Sequence, residues 1–205
     1  MIKNIVFDLG RVIYTYWPKE DMLSLGYSNA QADELMDCIF NSPTWLSMDR
    51  GIYNFQEGIA RMCELHPQKA EDIRKVLESG WVDRAVTQMP ESVDFFCEVK
   101  EQGYKTYILS NMISDVFDHL THRDANFFNK ADGIIVSGRE KTIKPEPEIF
   151  KCLLDRYSLV PEETIFIDDM PQNITAAKEL GIHGIVFVSV EDCKLQLEQY
   201  VRHCK

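Results

Sequence analysis

Short apolar runs alternate along this chain with apolar positions at helical spacing. Continuous apolar runs over Ile2–Phe7, Lys105–Leu109, Gly133–Val136, Thr164–Ile167 and Gly184–Val188 predict strands. Between them, Glu91–Gln102 sets Val93, Phe96 and Val99 on one helical face, and Gly103 supplies the stop. Pro145–Tyr157 opens with prolines and acids and buries Ile149, Phe150, Leu153 and Leu154. Pro171–Leu180 ends before Gly181. Strands alternating with helices predict a parallel sheet covered by helices, with every strand-to-helix junction on one edge.

The stretch from Tyr14 to Met89 breaks this rhythm. It has no strand pattern, but helical spacing recurs at Asn29–Phe40, Asn54–Leu65 and Gln68–Ser79. The expected architecture is α/β: a Rossmann-like parallel sheet core over 1–13 and 90–205, with a helical cap inserted over 14–89. No internal repeat or low-complexity segment interrupts it.

Composition narrows the partners. Asp plus Glu outnumber Lys plus Arg by 33 to 22, and the net charge of −11 argues against a nucleic-acid or anionic-membrane surface. No apolar run approaches a membrane span, and the N-terminus lacks a charged leader, so the expected location is cytoplasmic. The six cysteines (38, 63, 97, 152, 193 and 204) form no C-x-x-C pair and read as reduced, mostly buried thiols. A small molecule is therefore the expected partner, bound by a monomer or a homodimer.

Candidate chemistry sits at the strand ends. In Ile5-Val6-Phe7-Asp8-Leu9-Gly10-Arg11 a strand delivers a lone carboxylate to the edge where such sheets bind ligands. Ile108-Leu109-Ser110-Asn111 ends in a hydroxyl and an amide, suited either to an anion nest or to a plain helix cap. Lys144 precedes a proline-started helix, where it adds a point charge for phosphate or stands as a solvated lysine, and Lys141 competes for that role. Asp168 and Asp169 end a buried strand as adjacent carboxylates that repel unless a cation or donors hold them, and Mg²⁺ suits such hard oxygens. A double helix cap is the other reading of that pair.

The four segments, in this order, resemble the haloacid dehalogenase superfamily. Asp-Leu-Gly, Leu-Ser-Asn, Lys-Pro-Glu-Pro-Glu-Ile-Phe and Ile-Asp-Asp-x-x-x-Asn look most like its small-cap sugar-phosphate phosphatases of the alpha-glucose-1-phosphate phosphatase type. The resemblance implies an Mg²⁺-dependent phosphatase acting on a small phosphomonoester, with Asp8 as the nucleophile that becomes an aspartyl-phosphate. It implies that Ser110, Asn111 and Lys144 hold the phosphoryl group. Mg²⁺ would be bound by Asp8, the Gly10 carbonyl and Asp169, with Asp168 and Asn173 behind them unless Asp168 trades places with its neighbour.

The pattern departs from the resemblance at Gly10, where most such phosphatases carry an acid/base Asp. Losing a positioned acid/base costs about 10² to 10⁴ in rate. A good leaving group, such as an anomeric sugar hydroxyl, lessens that need. Two other functions compete: a metal-independent 2-haloacid dehalogenase, against which the Asp pair counts, and a catalytically weak binding protein, for which Gly10 is the argument. Arg11 stands at the mouth of the expected site, either steering an anionic substrate or solvated. Trp17, Trp45 and Arg50 are the cap's candidates for substrate contact, with packing as the alternative. His119 and His122 are expected on a solvated helix face.

Overall fold

The computed structural model describes residues 1–203. The chain opens with β1 (Asn4–Phe7) and then runs through six helices before returning to the sheet. These are α1 (Pro18–Ser24), α2 (Asn29–Cys38), α3 (Pro43–Asp49), α4 (Phe55–Leu65), α5 (Ala70–Glu78) and α6 (Trp81–Ala85). After α7 (Pro90–Glu101) come β2 (Lys105–Ser110), α8 (Ser114–Arg123), α9 (Ala125–Phe128) and β3 (Gly133–Val136). The last third holds α10 (Ser137–Glu140), α11 (Pro147–Tyr157), β4 (Thr164–Asp168), α12 (Pro171–Glu179), β5 (His183–Val186) and α13 (Val190–His203).

The five strands form one parallel sheet in the order β3-β2-β1-β4-β5. Alternation along each strand sorts its side chains between two apolar layers. Ile5, Phe7, Ile108, Ile165, Ile167 and Ile185 face one layer, with Phe95, Phe96 and Phe117 from the helices. Val6, Leu109, Ile135 and Phe166 face the other, against Ile149, Phe150 and Leu153 of α11 and Ile174 and Ala177 of α12. This is the expected α/β sheet, and all five expected strands are present.

Boundaries moved where local chemistry outweighed periodicity. β1 starts at Asn4, and β5 shifts to His183–Val186, leaving Val188 exposed. The third helix expected within 14–89 begins at Ala70, after a 3₁₀ turn over Pro67–Lys69. Helix α11 begins at Pro147, not Pro145: Glu146 precedes a proline and is extended, as that position dictates. Lys144 therefore lies ahead of the helix and is not seated on its first turn. Three short helices, α1, α3 and α6, carry too few residues to show a period.

Helices α1 to α6 share the larger apolar layer, through Met22, Met48, Ile59, Met62 and Trp81, with Phe7 and Leu9 beneath them. Capping boxes at Ser28/Gln31 and Asn54/Glu57 start α2 and α4. The two chain crossings into this segment are stitched together: Thr15 N–H donates to the Thr87 carbonyl at 2.8 Å and Met89 N–H to Ile13 at 2.9 Å.

Of the cysteines, Cys63 and Cys193 are buried, while Cys38, Cys97 and Cys152 are half-buried, which corrects the expectation of mostly buried thiols. All five are free, and Cys204 lies outside the described residues. Among the described residues no helix is long and apolar enough to cross a membrane.

Candidate active site

The register of the three central strands builds the site. Phe7 lies beside Ile108 and Ile167, so the residues that follow, Asp8, Leu109 and Asp168, come level at one edge. Beyond Asp8 the chain curls around the Leu9 carbonyl, which accepts the N–H groups of Val12, Ile13 and Tyr14 at 3.3, 2.8 and 2.8 Å. Arg11 adopts φ +56° in this curl. The Gly10 carbonyl accepts no hydrogen bond among the described residues.

Lys144 is the centre of the charge arrangement. Its Nζ lies 2.8 Å from Asp8 Oδ1 and 2.7 Å from Asp168 Oδ2, and donates to the Leu109 carbonyl at 3.0 Å. Its backbone is held by Asn111, whose amide donates to the Lys144 carbonyl at 2.9 Å and accepts its N–H at 2.8 Å. Asn111 is therefore not a helix cap: α8 begins at Ser114. Asp168 is saturated, accepting from Met170 N–H at 2.8 Å and from Asn173 Nδ2 at 2.9 and 3.0 Å besides Lys144. Asp169, by contrast, makes a single long ion pair among the described residues, with Arg11 at 3.8 Å.

Three carboxylates thus cluster at this edge, two of them paired with the Lys144 ammonium. Burial drives the Asp8 pKa up to about 7, opposed by Lys144 and reinforced by Asp168. Asp169 is raised by burial and then by Asp168. Burial alone would lower the Lys144 ammonium, but Asp8 and Asp168 outweigh it and hold it above its ordinary value. Ligand oxygens of Asp8, Asp168 and Asp169 all lie within 4.8 Å of one another. Such a surplus of hard oxygen donors fits a divalent cation. Because Asp168 has its oxygens engaged, Asp8 and Asp169 are the carboxylates with capacity left.

A cavity of about 170 Å³ opens over this edge. Asp8, Gly10, Ser110 and Asn111 form its floor; Tyr14, Tyr16, Trp45, Asp49 and Trp81 are among its remaining walls. The Ser110 hydroxyl, 1% exposed, has no hydrogen-bond partner among the described residues. The Trp81 indole N–H is buried and also unpartnered.

Other candidates fall elsewhere. Trp45 lines the cavity, but Trp17 is 53% exposed and sits in a separate concavity with Lys19 and Phe40. Arg50 Nη1 donates to Glu146 Oε2 at 2.7 Å instead of reaching the cavity, and Lys141 donates to the Gly51 carbonyl. His119 pairs with Asp83 at 2.7 Å on the surface, and His122 is exposed. Asp49, Tyr16 and Trp81 are wall residues that the sequence reading passed over. Their signal was present for Asp49, four residues after Trp45 and so on the same helix face.

Residues 2–181 match the family model described as "Hydrolase: haloacid dehalogenase-like hydrolase". The chain belongs to that family. It is 25% identical to the sesquiterpene phosphatase astK of Aspergillus oryzae over 97% of this chain and 96% of that protein. The D-ribitol-5-phosphate phosphatase of Bacteroides thetaiotaomicron is 26% identical over 88% of this chain and 89% of its own. Acyl-CoA dehydrogenase family member 10 of Mus musculus is 24% identical, and there the match covers 96% of this chain but 19% of the longer protein. Among solved structures, a HAD family enzyme from Bacteroides thetaiotaomicron in complex with magnesium and inorganic phosphate superposes with TM-score 0.68 at 24% identity, covering 90% of this chain and 93% of that one. The L-2-haloacid dehalogenase of Xanthobacter autotrophicus gives 0.67 at 18% identity over 97% and 83%. At these identities the superpositions establish the shared fold.

Proposed function

We propose that this hydrolase is an Mg²⁺-dependent phosphatase that cleaves a small phosphomonoester through an aspartyl-phosphate on Asp8. The observation that carries the reading is the cluster of Asp8, Asp168 and Asp169, whose oxygens lie within 4.8 Å of one another while Lys144 pairs with the first two alone. A metal-independent displacement on a haloacid has no use for that surplus of negative charge. A cation held by Asp8, the Gly10 carbonyl and Asp169 would supply charge neutralisation for the phosphoryl group. Asp8 attacks phosphorus, while Lys144, the Ser110 hydroxyl and Asn111 receive the phosphoryl oxygens. Asp168 and Asn173 keep Lys144 aimed, and Arg11 stands at the mouth, where it attracts an anion.

The helices over 14–89 act as a cap whose walls choose the organic part of the substrate. Tyr16, Trp45 and Trp81 offer aromatic faces, which suit the C–H face of a sugar ring. A sugar phosphate is therefore the proposed class. A second reading, a more apolar phosphomonoester, is favoured by how few polar groups those walls contain.

The test is phosphate release from a panel of sugar, polyol and prenyl monophosphates, with Mg²⁺ and with chelator, beside Asp8→Asn. Mg²⁺-dependent release that Asp8→Asn abolishes supports the reading. Release that is indifferent to chelator, or that survives in Asp8→Asn, removes it.

A further inference from the structure

When a phosphomonoester is cleaved, the departing oxygen needs a proton as its bond to phosphorus breaks. Gly10, on the cavity floor beside Asp8, has no side chain to bring one. Four ionisable side chains line the cavity: Asp8, Tyr14, Tyr16 and Asp49. Asp8 is committed to phosphorus. The Tyr14 hydroxyl donates to Asp124 at 2.9 Å and accepts from Gln88 at 3.2 Å. Burial drives both phenols far above their ordinary value, so neither gives up a proton near neutrality.

Asp49 differs in every respect. It ends α3, and its carboxyl has no hydrogen bond or ion pair among the described residues. Its backbone, however, is fastened. The Ser137 hydroxyl donates to the Asp49 carbonyl at 2.6 Å, Arg50 forks onto Glu146, and the Gly51 carbonyl accepts from Lys141. Three consecutive residues thus anchor the end of α3 to the core and leave one acid free over the site.

We infer that Asp49 is the general acid and base of this site, in place of a carboxyl at position 10. The inference rests on the phosphatase reading above. As Asp8 forms its bond to phosphorus, the ester P–O bond breaks, and the Asp49 proton goes to the departing oxygen, releasing an alcohol. The Asp49 carboxylate then takes a proton from water as that water attacks the aspartyl-phosphate. The P–O bond to Asp8 breaks, inorganic phosphate leaves, and both carboxyl groups are restored.

Burial raises Asp49 to about 7, where both protonation states are populated at neutral pH. Tyr16 is the phenol that feels its charge, with Arg11 acting on the same phenol from the cavity mouth. Charged groups on the elements packed against α3 are engaged elsewhere: Glu57 caps α4, Arg61 pairs with Glu64, Arg139 with Asp118, and Glu140 with Arg156.

The experiment compares an alkyl phosphate with p-nitrophenyl phosphate in wild type and Asp49→Asn, with Asp49→Glu as a partial rescue. For the alkyl ester, kcat/KM should fall about 10²- to 10⁴-fold in Asp49→Asn and lose its decline above pH 7. For the nitrophenyl ester, whose leaving group needs no proton, kcat/KM should change less than about tenfold. A nitrophenolate burst should appear as water attack slows. An equal change for both esters, or an alkyl rate that keeps its decline above pH 7, in a variant with wild-type circular dichroism and melting, overturns the assignment while leaving Asp8 chemistry standing. A wild-type protein inert toward both esters removes the phosphatase reading and this assignment together.

Discussion

Lys144 and Asp168 form an ion pair in which neither partner meets solvent: Nζ lies 2.7 Å from Oδ2, and the side chains are 1% and 0% exposed. Such a pair holds only while each charge keeps its donors or acceptors. Asp168→Ala leaves the ammonium with Asp8 and the Leu109 carbonyl, and strips Asn173 and the Met170 N–H of their acceptor. The expected cost is about 3–5 kcal/mol, read from urea unfolding, with activity lost at the same time. A loss under 1 kcal/mol would mean that Asp8 and the Leu109 carbonyl suffice for Lys144.

Asp8→Asn separates chemistry from architecture. The amide keeps the shape beside Lys144 and relieves crowding among three carboxylates. Phosphate release should fall at least about 10³-fold with no drop in melting temperature, since the variant removes the attacking group itself.

Two glycines give opposite expectations. Gly51 has φ +71°, and a Cβ there would overlap the Gly138 carbonyl and the Lys141 ammonium. Gly51→Ala should cost about 2–4 kcal/mol, combining backbone strain with overlap. Gly10 has ordinary φ and open space where a Cβ would stand, so Gly10→Ala should unfold at the wild-type urea midpoint. Equal midpoints for both variants would contradict the close approach at Gly51.

Acid should weaken two ties. Arg50, Thr142 and the Ile143 N–H hold Glu146 down at about 2, and Lys100, Lys105 and the Thr106 N–H outweigh burial to hold Asp132 at about 2. Both values are depressed below the unfolded carboxylate range. Their contribution is therefore complete above about pH 4.5 and drains away as pH falls toward 2. Unfolding free energy measured from pH 6 to pH 2.5 should decline, and the decline should shrink in Glu146→Gln.

The sheet was legible because buried parallel strands are short and apolar, and their polar ends stand out: Asp8, Ser110 and Asp168 each follow such a run. The convergence of Lys144 with Asp8 and Asp168 was foreshadowed only by their order along the chain. Its actual support, the two-way bond between Asn111 and the Lys144 backbone, is a contact between residues 33 apart in sequence that no local pattern encodes. The contacts between residues 14–89 and the rest were less legible. Arg50 and Lys141 looked free because their partners, Glu146 and the Gly51 carbonyl, lie 96 and 90 positions away. Asp49 shares a helix face with Trp45, but α3 is only seven residues long, so that single spacing did not mark it as a cavity residue.

The fastening of Asp49, Arg50 and Gly51 to Ser137, Glu146 and Lys141 bears on how this protein can be re-engineered. Exchanging the helices over 14–89 for those of a relative would not be a simple modular swap. Here a transplanted segment would arrive without its docking partners unless residues 137 to 146 travelled with it. The unit of exchange is therefore discontinuous, and a chimaera cut at residues 14 and 89 alone would be expected to misalign its own acid.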